Sequence, residues 1–184
     1  MQTELIISGF GGQGILFAGT VLAYAGLAAG KNVTWIPSYG PEMRGGTANV
    51  TVIISDEEIG SPLVRCPAAA LVLNQPSLEK YNPLVKPGGV LVYNRSLTSD
   101  SPQPRRADLT YLALAASDLA MEIGHVKMAN IVGLGALVAV TQVLPIAAIR
   151  QALHHQLPED KFDLRAANEE ALRCGLKLAR SITA

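Results

Sequence analysis

The run Gly9-Phe10-Gly11-Gly12-Gln13-Gly14 constrains this chain more than any other stretch. Its glycines follow a short apolar run, Leu5-Ile6-Ile7-Ser8, and precede a long one from Ile15 to Ala29. Glycine reaches backbone conformations that other residues avoid, so the cluster reads as a tight turn from a buried strand into a helix. That helix carries almost no charge and stops at Gly30, the residue type expected at a helix C-terminus. Val33-Thr34-Trp35-Ile36 then reads as a second strand stopped by Pro37. Strand, glycine turn, helix and strand make a βαβ unit with a right-handed crossover.

Further strands are expected at 49–55, 69–74 and 90–94, with a short one near 109–112. A short helix is expected over 77–84. The C-terminal third is helical: 115–123 ending at Gly124, an apolar helix over 127–143, one opened by Pro145 and running to His155, and an amphipathic one over 164–182. Residues 98–106 form the best loop. The pattern describes one domain over 1–184. Its fold class is α/β, a three-layer, Rossmann-like α/β/α domain with a mostly parallel sheet and a helical C-terminal third. Close spacing of the strands at 49–55 and 69–74 also allows a mixed sheet.

Composition narrows function. The chain has 15 basic and 15 acidic residues, only 16% charged, and is 49% hydrophobic. It lacks the basic excess of a nucleic-acid binder and is too aliphatic for disorder. Such a low charge fits a surface covered within an assembly. Cys66 and Cys174 show no metal-ligand spacing, so no zinc or iron–sulfur cluster is expected from this chain alone. The N-terminus does not read as a signal peptide, and the ten-residue apolar run from Ile131 to Val140 is too short to span a membrane. No membrane association and a cytoplasmic location are expected.

The glycine run matches the G-x-G-x-x-G pattern of dinucleotide sites. That reading requires an acidic residue at the end of the second strand to bind ribose hydroxyls. Val33 to Tyr39 contains none, and the first carboxylate is Glu42, beyond Pro37. A stand-alone nucleotide-binding module is the alternative this loop leaves open. Gln13 offers a donor and an acceptor at the helix start, which points toward a ligand or a partner chain.

The segment Ser38-Tyr39-Gly40-Pro41-Glu42-Met43-Arg44-Gly45-Gly46-Thr47-Ala48-Asn49 is the most informative. It follows the second strand, where open α/β sheets carry their ligand contacts. Tyr39, Met43 and Arg44 are types enriched in interface cores, unlike a spacer loop. A rigid loop with an internal Glu42–Arg44 contact is the plainer reading. Together with Gly9–Gly14 and with Lys127-Met128-Ala129-Asn130-Ile131-Val132-Gly133-Leu134-Gly135-Ala136-Leu137, this segment closely resembles the gamma subunit of the 2-oxoacid:ferredoxin oxidoreductases. The resemblance covers nearly the whole chain. The short chain and the form of the second motif look most like the 2-oxoglutarate type; the branched-chain, pyruvate and indolepyruvate types stay open.

The resemblance implies a shared reaction. A 2-oxoacid is decarboxylated on thiamine diphosphate with magnesium, the acyl group passes to coenzyme A, and iron–sulfur clusters deliver electrons to ferredoxin. It implies alpha and beta partners, with or without delta, that build the cofactor sites. This chain is then a packing and gating domain with no catalytic residue of its own and no activity alone; in isolation it could form a homodimer. The residues carried as cofactor-binding or interface positions are Gly9, Gly11, Gly12, Gln13, Gly14, Ser38 to Gly46 throughout, Thr47, Asn49 and Asn130. Asn130, one turn into an apolar helix, must find a partner, and a bond to a neighbouring loop is expected.

Other polar groups read as surface. His154 and His155, near Asp160, point about 100° apart on a helix and suit a polar helix end better than a metal site. His125 reads as a loop residue. Arg105 and Arg106 read as a solvated loop pair that, under the resemblance, could meet coenzyme A phosphates.

Overall fold

The structure, a computed structural model, describes residues 1–39, 46–99, 102–158 and 162–183. The chain runs β1 (Gln2–Phe10), α1 (Ile15–Ala28), β2 (Asn32–Tyr39), β3 (Thr47–Ser55), β4 (Ala69–Val72), α2 (Gln75–Tyr81), β5 (Val90–Asn94), β6 (Thr110–Leu114), α3 (Ala116–Glu122), α4 (Ala129–Thr141), α5 (Ile146–His155) and α6 (Phe162–Thr183). A single 3-10 turn, Val126–Met128, leads into α4.

One six-stranded sheet has the order β2-β3-β1-β4-β5-β6. The strands β1, β4, β5 and β6 run parallel, and β3 runs antiparallel to both β1 and β2. The sheet is therefore mixed. The connection from β2 to β3 is too short for a crossover, and a short connection can join only antiparallel neighbours. β3 wedges between β1 and β2, so the two strands of the expected βαβ unit are not neighbours. Pro37 does not stop β2 either: the strand continues to Tyr39, with Pro37 opposite Val50. An edge strand tolerates proline because its outer side needs no ladder bond, and β2 is an edge.

The layers are uneven. Leu5, Ile7, Val50, Val52, Leu71, Val92 and Leu112 face a large core with residues of α1, α3, α4, α5 and α6. The opposite face, with Ile6, Ala70, Val72, Leu91 and Tyr93, is covered by Leu78 and Tyr81 of α2 and by Val85. The Asn74 side chain caps α2, accepting a hydrogen bond from the Ser77 N–H at 2.9 Å; the helix thus begins two residues before the expected start. α4 is buried from Asn130 to Val138, as a helix apolar on all sides must be. Its outer side packs against α6 so closely that a Cβ on Gly135 would lie 2.5 Å from the Leu172 carbonyl oxygen.

Candidate functional site

The glycine loop is locked by its own side chains and backbone. Gln13 Oε1 accepts from the Phe10 N–H at 2.6 Å, and Gln13 Nε2 donates to the Leu73 carbonyl at 3.3 Å. The carboxamide therefore spans the end of β1 and the residue after β4, and both its ends are used inside the chain. Gly9 makes room for it, since a Cβ there would sit 2.5 Å from Gln13 Oε1. Gly12 and Gly14 adopt φ of 96° and 71°, where other L residues are strained. The Gly11 N–H donates to the Gly46 carbonyl at 3.0 Å, so the first motif is tied to the start of the strand that carries the end of the second.

Asn130 joins the third motif to the first. It is 3% exposed, and its Nδ2 donates to the Gly14 carbonyl at 2.9 Å while its Oδ1 accepts from the Ile131 N–H. The first turn of α4 thereby braces the first turn of α1. Gly14 fits against it because a side chain would collide with the Asn130 amide.

β2 and β3 divide the second motif between two faces of the sheet. Tyr39 pairs with Ala48 and Ser38 with Asn49, and the two-residue period turns successive side chains to opposite sides. Tyr39 and Ala48 face the α1 side. There, with Phe10, Leu16, Phe17 and Thr47, they line an open cleft of about 460 Å³ beside the glycine loop. Ser38 and Asn49 lie on the other face, in register with Ser8 of β1. Gly40, Pro41, Glu42, Met43, Arg44 and Gly45 lie outside the described residues, as does the expected Glu42–Arg44 contact.

Chemically the cleft is apolar, with the first-turn N–H groups of α1 at one end, which no intrahelical carbonyl can satisfy. Among the described residues none lining it carries a charged side chain. The strand beside β1, where a dinucleotide fold places its ribose-binding acid, is here the antiparallel β3. The topology thus counts against the nucleotide reading independently of the missing acid. Phe10, Ile15, Leu16 and Phe17 are not among the candidates read from the sequence. Their signal is an unbroken apolar run, Ile15-Leu16-Phe17, wider than one core-facing stripe of a helix can bury.

The remaining sequence candidates are placed as follows. Arg106 is not a free loop cation: it donates to the Asn82, Pro83 and Val85 carbonyls and pairs with Asp108 at 2.6 Å. That pairing raises the Arg106 pKa and lowers that of Asp108. A guanidinium whose donors close three carbonyls is a structural tie. Arg105 stacks 4.9 Å from the Tyr111 ring centre. His154 meets Glu169 at 3.2 Å, and Glu169 also holds Arg150 at 2.7 Å; Asp160 lies outside the described residues. His125 is exposed beside Gly124. Both cysteines are free thiols, and burial pushes that of Cys174 up. Among the described residues no group of three or more His, Cys, Asp or Glu stands ready for a metal, and no helix is long and apolar enough to cross a membrane.

Fold and site together define a mixed-sheet α/β domain whose glycine loop is hydrogen-bonded to the chain's own Leu73, Gly46 and Asn130. The chain belongs to the pyruvate ferredoxin/flavodoxin oxidoreductase family, whose model matches residues 4–178. It is 41% identical over 138 residues to ketoisovalerate oxidoreductase subunit VorA of Methanothermobacter thermautotrophicus, covering 75% of this chain and 28% of VorA. It is 37% identical over 163 residues to 2-oxoglutarate synthase subunit KorC of Methanocaldococcus jannaschii, covering 86% of each. The solved gamma subunit of the keto/oxoacid ferredoxin oxidoreductase from Geobacter sulfurreducens superposes with a TM-score of 0.83 at 34% identity, over 97% of this chain and 99% of that one. The chain thus spans little more than a quarter of VorA and nearly all of the gamma subunit.

Proposed function

We propose that this chain is the gamma subunit of a 2-oxoacid:ferredoxin oxidoreductase acting on 2-oxoglutarate, with alpha and beta partners, with or without delta, and with ferredoxin as electron acceptor. The overall reaction takes 2-oxoglutarate and coenzyme A to succinyl-coenzyme A, carbon dioxide and a proton, with the two electrons released passing to oxidised ferredoxin. The observation that carries this reading is the convergence of all three motifs on one end of the sheet: Gln13, Gly14 and Asn130 in one hydrogen-bonded unit, with Gly11 bonded to Gly46. The match to KorC at nearly full length supports the substrate.

Thiamine diphosphate, when bound in such an enzyme, supplies the decarboxylation chemistry. The described cleft here does not fit it, since no carboxylate lines the cleft to hold the magnesium of a diphosphate. That group and the iron–sulfur clusters are assigned to the partner chains. This chain's part is to hold a preformed, water-poor wall. The Gln13 and Asn130 bonds fix the loop so that a neighbouring site, including the coenzyme A path, meets a rigid surface rather than one that must be ordered on binding.

The test is to co-express the chain with the reading frames that adjoin it and assay coenzyme A-dependent reduction of ferredoxin. Activity with 2-oxoglutarate from the complex, and none from this chain alone, supports the reading. A second substrate, 2-oxoisovalerate, is favoured by the 41% identity to VorA, and a complex that prefers it would replace 2-oxoglutarate without changing the subunit role. Micromolar binding of NAD(P)H or FAD to the isolated chain would restore the nucleotide-module alternative.

A further inference from the structure

One flank of the molecule is both uncharged and uncovered. From Leu5 to Pro41 the sole Asp, Glu, Lys or Arg is Lys31, whose ammonium is held by Asp56. β2 closes the sheet on this side and has no buried residue along its length. Trp35 and Ile36 are each 37% exposed and Tyr39 61%. At the other edge, β6 buries Leu112 and Leu114.

α1 extends the same flank. It lies directly over β2 and β3, because a Cβ on Gly19 would meet Val50 and Trp35, and one on Gly26 would meet Val33. At 100° per residue, Leu16, Thr20 and Leu27 point about a quarter turn away from that contact, with Tyr24 just beyond them. Tyr24 is 48% and Leu27 57% exposed. Leu16 also lines the cleft with Tyr39, so cleft, helix face and strand edge form one continuous surface.

An edge strand this long usually carries lysines, a bulge or a covering loop to prevent pairing with other chains. β2 carries Pro37. Opposite Val50, its missing N–H costs nothing where the pair is one of the outward-facing pairs of the ladder. In that alternation Val33, Trp35 and Tyr39 also turn their N–H and C=O groups outward. Aromatic side chains without charge are the composition of an interface centre, not of a rim.

We infer that the β2 edge and the Tyr24–Leu27 face of α1 seat a larger partner polypeptide corresponding to the part of VorA that lies outside this domain. The inference rests on the gamma-subunit reading and names the surface that reading leaves open. In VorA the 138 residues that match this chain make up 28% of the length, so a much larger body of polypeptide accompanies them. The partner lays an extended segment along β2, completing its outward hydrogen bonds, and an apolar face on α1. Its contact face is itself uncharged, because a charge buried here would find no counter-ion beyond the already paired Lys31.

Hydrogen–deuterium exchange on the purified multisubunit complex and on the full chain alone tests this. The β2 amides are expected to exchange at least tenfold more slowly in the complex, with those of β6 unchanged. Leu27→Glu combined with Ile36→Lys is expected to weaken association at least tenfold while the chain's circular-dichroism melting curve is kept, and Val126→Lys on a different surface is expected to associate normally. Slowed exchange at β6 or α6 with β2 unaffected would overturn the inference, as would full association of the double variant. An isolated chain that dimerises through β2, and separates on the same substitutions, would give the flank to a second copy instead. In each of those cases ferredoxin-linked activity of the complex still stands, so the gamma-subunit reading survives; the absence of any complex would sink both.

Discussion

α1 and α4 are close in composition and opposite in fate. Both are rich in alanine, glycine and branched aliphatics, neither has a charged residue in its terminal turns, and neither has a distinct polar face. α4 is sealed on its far side by α6, with Gly135 and Gly175 letting the backbones approach. α1 has β2 and β3 below it and α5 beside it, yet Tyr24 and Leu27 are left to solvent. The pair teaches that an all-round apolar helix announces burial without saying whether the chain or something else supplies the cover.

The largest effect is expected inside α4: Leu134→Ala removes a side chain that is 0% exposed, and should cost about 2–5 kcal/mol in urea unfolding of the chain. A loss below about 1 kcal/mol would mean that α4 is not the sealed helix described. Next comes the link between the two helices. Asn130→Ala leaves the Gly14 carbonyl with only its Ala18 N–H donor and is expected to cost about 0.5–1.5 kcal/mol, with faster amide exchange confined to residues around Gly12–Leu16.

On α1 the expectation reverses. Leu27→Gln should change the stability of the isolated chain by no more than about 0.5 kcal/mol, as for a surface substitution; a cost comparable with that of Leu134→Ala would show that the chain itself covers this flank. The smallest effect lies at the far end of β3. Lys31 and the N-terminal ammonium hold the Asp56 carboxyl down to about 2, from an ordinary value of 3.8. A carboxyl depressed on folding stabilises above its unfolded pKa, and that contribution fades as pH falls from about 4 toward 2. Asp56→Asn should flatten that part of a thermal-melting profile against pH and leave neutral pH nearly unchanged, since the pair is exposed.

Much of this was readable in advance, for local reasons. The glycine run placed the start of α1 at Ile15, Pro145 placed the start of α5, and β5 fell at Val90–Asn94 as expected. A buried Asn130 had to find a partner and found the Gly14 carbonyl. What was not readable involved distant residues. Nothing near Pro37 says that β2 is an edge strand on which a proline can be carried. Nothing in the arginine-containing loop says that carbonyls more than twenty residues away would claim Arg106. Gln13 reads as an offer to a ligand or a partner chain, and the structure ties both ends of its amide to the chain itself.

The order of residues alone settled the kinds of element, most of their boundaries, the need for glycine at the turn into α1 and the family to which the chain belongs. Those follow from backbone sterics, apolar periodicity and motif identity, which act over a few residues at a time. Folding settled that β3 would wedge between β1 and β2, that helices would crowd one face of the sheet, and which of two uncharged helices would end up inside. Pairing between strands forty residues apart, and competition among apolar faces for the same cover, depend on the whole set of contacts at once, and no single segment carries them.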